Sequence, residues 1–146
     1  MDIIGLLNDL TGNNLLLWKV VGATVVFALA GSQVLFAARG WGASPFPPVP
    51  NKTAWAVHRF QGRLALTLAV VIAIACIAGP AGPTSPTRVL LHSIFGSLAL
   101  LIIAAKLLVL HVLKGRGRWL PWLGTSLFLA FGAIWATSVA DYVSAT

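Results

Sequence analysis

The sequence predicts an all-α integral membrane protein, a four-helix bundle built as one transmembrane domain over residues 1–146. Three observations carry this. Of the 146 residues, 58% are apolar and only 9% are charged. An ordinary soluble domain carries about 25% charged residues, so this chain has no charged exterior to hold it in water. The apolar residues fall into four runs, each long enough for the roughly 20 residues that a helix needs to cross about 30 Å of hydrocarbon. The basic residues stand at the ends of those runs, where lysine and arginine meet headgroups. The same composition excludes a soluble enzyme and a disordered chain. A single cysteine, Cys76, excludes a disulfide scaffold. The net charge of +7 does not imply a nucleic-acid partner, because the charges form no single patch.

The spans follow in order. The first runs over about 15–38, with Lys19 near its outer end, and the second over about 53–78, with Arg59 and Arg63 in its first turns. The third covers about 86–113 and holds Lys106, and the fourth covers about 119–140 with no charge inside. Gly40, Gly42, Pro45, Pro47, Pro48 and Pro50 make the first connection stiff and non-helical. Asn51 is placed to cap the second helix, and Gly79-Pro80 and Gly82-Pro83 to end it. Ser85-Pro86 matches an N-cap followed by the first helical position, and Pro121 fits the first turn of the fourth helix. Residues 1–14 do not read as a signal peptide, since they begin acidic and lack a small-residue cleavage pattern; their Ile and Leu residues suit a short interfacial helix.

Loop charge sets the expected orientation. Arg39, Lys52, Arg59 and Arg63 surround the first loop, and Lys114, Arg116 and Arg118 the third, whereas the second offers only Arg88. The positive-inside rule therefore expects loops one and three in the cytoplasm, with both termini outside. Trp18, Trp41, Trp55, Trp119, Trp122 and Tyr142 lie near span ends as an aromatic belt requires, with Trp135 the exception.

Ionisable groups inside a membrane are costly and need an account. Here they are His58, His92, His111 and Lys106. If the second and third helices are antiparallel neighbours about a turn near Pro83, His58 and His111 fall at one level. His92 lies 19 residues from His111, about 28 Å along the same helix, so those two cannot share a metal. Two level imidazoles on facing helices suit a b-type haem, because neutral imidazole is a strong axial ligand for iron. Gly62, Ala65 and Ala69 below His58, and Gly96 beside His92, would leave a slot for a flat macrocycle; Arg59, Arg63 and Arg116 would meet its propionates. The same small residues also serve plain close helix packing, and a histidine near an interface can simply contact headgroups. His92 can serve a second haem, line a quinone or proton site with Arg88, or otherwise be a hydrogen-bonded structural histidine. Lys106 can snorkel or face a cofactor carboxylate or quinone oxygen. With no acid inside the spans, a Ser-His-Asp triad is absent, and no catalytic residue is expected.

With these residues set out, the chain resembles the small four-helix membrane cytochromes of the b561 type. The resemblance rests on HRFQGR (His58 to Arg63), RVLLHSIFG (Arg88 to Gly96), Lys106, and LPWLG…IWATS between Leu120 and Ser138. It looks closer still to a bacterial family of uncharacterised membrane proteins with the same HRxxGR and RxxxH elements, and covers about residues 53–142. The resemblance implies haem between histidines of neighbouring helices and electron movement across the bilayer, often from ascorbate or quinol. The chain departs from the family's four histidines, having three, with Ala75 or Cys76 where a partner of His92 would stand. The function expected is a b-type cytochrome or haem-binding subunit in electron transfer at the bacterial cytoplasmic membrane. One haem and a quinone are its cofactors, and other subunits of a membrane complex its partners. The alternatives are a cofactor-free accessory subunit of a respiratory or photosynthetic assembly, and a pigment- or lipid-binding subunit using single histidines.

Overall fold

The computed structural model describes residues 5, 9, 12, 14–78, 85–113 and 117–145. They form four helices: α1 (Leu15–Gly40), α2 (Asn51–Ala78), α3 (Pro86–His111) and α4 (Leu120–Ala145). One 3-10 turn, Gly117–Trp119, leads into α4. All four are long and apolar enough to cross a membrane, and the described residues contain no strand. The fold is therefore an all-α, multi-pass membrane bundle. The expected interfacial segment 1–14, both Gly-Pro steps of the second loop, and Lys114 to Arg116 fall wholly or mostly outside the described residues.

Local chemistry fixes the helix ends. Ser85 caps α3: its hydroxyl accepts the Arg88 N–H at 3.3 Å, and Pro86 follows where its missing N–H costs nothing. Asn51 is the first helical residue of α2 rather than its cap; the Pro50 carbonyl already accepts the Ala54 N–H at 2.9 Å. At the end of α1, Gly42 takes φ +74, the left-handed conformation that lets the Gly42 and Ala43 N–H groups turn back to Arg39 and Ala38 carbonyls. The Arg39 guanidinium then ties the proline-rich loop down by donating to the Val49 carbonyl at 2.8 Å.

Small residues bring the helices together. Among the described residues, the buried apolar ones are Ala23, Val26, Ala30, Ala54, Ala65, Ala99 and Ala130. Without a hydrophobic force between helices in lipid, close backbone approach and dispersion must supply the association. The α1–α4 seam shows this: Phe27 and Phe128 stack at 5.1 Å, Gly132 faces Phe27, and Gly31 faces Phe128. Trp135, the indole outside the expected aromatic belt, extends this stack against Phe27 at 5.3 Å and donates its N–H to Thr24 Oγ1 at 3.0 Å. A mid-span indole is thus satisfied across the seam. Trp18, Trp41, Trp119 and Trp122 are exposed near helix ends, as expected.

The order of the helices differs from the sequence expectation. α1 packs along both α2 and α4, and α3 packs along α4. α2 and α3 follow one another in the chain but are not packed side by side. The bundle is therefore an α2–α1–α4–α3 series, its outer members making few close backbone contacts with one another.

Candidate functional site

α1 holds His58 in place. Its Nδ1 lies 3.1 Å from the Gln33 carbonyl oxygen. A carbonyl only accepts, so Nδ1 carries the proton and, in the neutral ring, Nε2 keeps its lone pair. Nε2 has no hydrogen-bond partner among the described residues. Neighbouring contacts keep the ring at this angle. Ser32 Oγ donates to Gln61 Oε1 at 2.6 Å, one helical turn on, and Gly62 admits the Gln33 side chain against the α2 backbone. On the other side Trp55 meets His58 edge-on at 5.6 Å, and Trp41 meets Trp55 at 5.5 Å. Gly40 makes room for this column, because a Cβ there would sit 2.6 Å from Trp55.

Lys106, half-buried on α3, lies within electrostatic reach of His58. On α3, a Cβ at Gly96 would meet nothing within 4 Å. The expected slot residues thus separate. Gly62, Ala65 and Ala69 lie on the face of α2 that meets α1, Ala65 being buried and Gly62 set against Gln33, whereas Gly96 borders open space.

The other histidines stand elsewhere. His92 Nδ1 pairs with Thr137 Oγ1 at 3.0 Å; that hydroxyl gives its own proton to the Ile134 or Ala133 carbonyl and so accepts from the ring. His92 therefore ties α3 to α4. His111 is exposed and donates from Nδ1 to its own Leu107 carbonyl at 3.0 Å, closing the last turn of α3. His58 and His111 each hold a backbone carbonyl through Nδ1, and their helices, expected as packed neighbours, are not packed side by side. No group of three or more His, Cys, Asp or Glu side chains gathers among the described residues. Arg59 and Arg63 are exposed, and helical geometry turns them about 100° or more round α2 from His58. Arg116 falls outside the described residues.

Sequence reasoning missed the supports of this site: Ser32 and Gln33 in the middle of α1, Gln61 on α2, and Thr137 on α4. Each is an uncharged polar residue inside an apolar span. Such a residue must find a partner in hydrocarbon, and that requirement was the available signal.

Residues 5–146 match a family of unknown function, DUF6529. The chain belongs to this family. No curated protein and no solved structure matches the chain.

Proposed function

We propose that this DUF6529 member is a membrane subunit that carries a b-type haem and takes part in electron transfer, with His58 as axial ligand. The orientation of His58 carries the reading. A backbone carbonyl holding Nδ1–H is the arrangement that fixes a metal-binding histidine's tautomer and ring angle. Nε2 is left with its lone pair for a metal, and on α3 a Cβ at Gly96 would meet nothing within 4 Å. A haem there would supply one-electron chemistry; His58 would hold the iron, and Lys106 is the cation on that side for a carboxylate or a quinone oxygen. His111 as second ligand requires its ring to leave the Leu107 carbonyl. The b561-type resemblance of the HRFQGR and RVLLHSIFG segments agrees with this reading. Loop charge supports placement in a bacterial cytoplasmic membrane with both termini outside, and the exposed apolar flanks suit other subunits of an electron-transfer complex.

The test is an absorption spectrum of the purified protein, oxidised and reduced, with pyridine haemochrome quantitation. Wild type should show a reducible Soret and α band. His58→Ala should lose them, and His111→Ala should keep them. Full haem occupancy in His58→Ala would overturn the ligand assignment.

A second reading has its own observation. His58 and His92 are each hydrogen-bonded across a helix interface, which is also how a purely structural histidine is used. A colourless, folded protein isolated only with partner subunits would favour a cofactor-free accessory subunit.

A further inference from the structure

We propose that the face of α2 bearing Lys52, Arg59 and Arg63 binds an anionic phospholipid, phosphate at the arginines and acyl chain along the helix above them. The inference is independent of any haem. At about 100° per residue, these three side chains lie about 140–180° round α2 from Ala54, which is fully buried against the bundle. All three are exposed. The same stripe continues through Val70, Ile74 and Ile77, which are 45%, 56% and 82% exposed. One unpartnered face therefore changes, along its length, from guanidinium to branched hydrocarbon. A phospholipid makes the same change from headgroup to tail.

Depth agrees. A helix of 28 residues is about 42 Å long, about 12 Å more than the hydrocarbon core. With Ala78 at the far boundary, the first two turns of α2 project among headgroups. Arg59 then stands at the hydrocarbon edge and Arg63 about 6 Å deeper, within reach of the phosphate level by snorkelling. Two arginines one turn apart can grip a phosphodiester through charge-assisted hydrogen bonds. The chain offers no internal substitute. It has no acidic residue between Asp9 and Asp141, and neither guanidinium has a hydrogen-bond or ion-pair partner among the described residues. Among the described residues, no acidic side chain pairs with either guanidinium.

The experiment compares thermal stabilisation and lipid retention of the full chain in detergent supplemented with phosphatidylglycerol, phosphatidylcholine or inorganic phosphate. Wild type should be stabilised by phosphatidylglycerol over phosphatidylcholine. Arg59→Gln/Arg63→Gln should bind it about 30-fold more weakly, at about 1 kcal/mol per basic side chain near the surface. Arg118→Gln, which removes a cation held over Trp119 at the same membrane end, should bind as wild type does. A wild type with no preference for the anionic lipid would overturn the proposal even if the double variant failed to fold. So would equal losses in the double variant and Arg118→Gln. Equal stabilisation by inorganic phosphate would make this a site for the free anion and overturn the lipid assignment.

Discussion

Replacing Gly40 by alanine tests the column that orients His58. The new Cβ would lie 2.6 Å from Trp55 Cε2 and 2.9 Å from both Cδ2 and Nε1. Ordinary carbon contacts sit near 3.5–4.0 Å, so the indole must retreat by about 1 Å. That movement disturbs its neighbours, because Trp41 meets it at 5.5 Å and His58 at 5.6 Å. Overpacking of this kind costs about 1–3 kcal/mol. Alanine's better helix propensity returns at most about 1 kcal/mol. Against a glycine-to-alanine change without the clash, the net expectation is a loss of about 1–3 kcal/mol, together with a changed Trp environment. Thermal unfolding in detergent, followed by intrinsic tryptophan emission, reads both. Gly96→Ala is the matched control, since its Cβ meets nothing within 4 Å and only the propensity gain applies. If Gly40→Ala were as stable as Gly96→Ala, with unchanged emission, the packed column would be refuted.

Three other expectations follow from particular contacts. Trp135→Phe keeps an aromatic ring against Phe27 but loses the bond to Thr24, which can still donate to the Val20 carbonyl at 2.8 Å; denaturation in mixed micelles should show a loss of about 0.6 kcal/mol and no more than about 1.7. Ser85→Ala removes the α3 cap and should cost about 1 kcal/mol, measured the same way, with hydrogen exchange rising at the Arg88 amide. If the proposed haem lies beside Gly96, where a Cβ would meet nothing within 4 Å, Gly96→Leu should lower haem content measured by haemochrome; unchanged content would place any haem away from α3.

The four spans were legible in the sequence because their signal is local. Length, absence of charge, and punctuation by Gly, Pro and Ser85 act within a few residues. The helices accordingly begin and end within a few residues of the expected bounds. One exception is the end of α4, which continues past 140 to Ala145 because no proline or glycine stops it. His58 was also legible as an ionisable group that a membrane makes expensive.

Which helices touch was not legible. In water an amphipathic face points to the core, but in lipid the chain is apolar all round, and its pattern does not say which side meets which neighbour. Two helices joined by a short loop invited the assumption that they pack. The tertiary structure decided otherwise through small-to-large fits, Gly31 with Phe128 and Gly132 with Phe27, that join residues about a hundred positions apart. It also decided what each histidine faces, because Gln33, Thr137 and Leu107 fix three rings in three different places. The sequence by itself determined that the chain spans the membrane four times, since hydrocarbon tolerates few other arrangements of such a polymer. Only the packing decided which faces come together, since that depends on shape complementarity between distant segments.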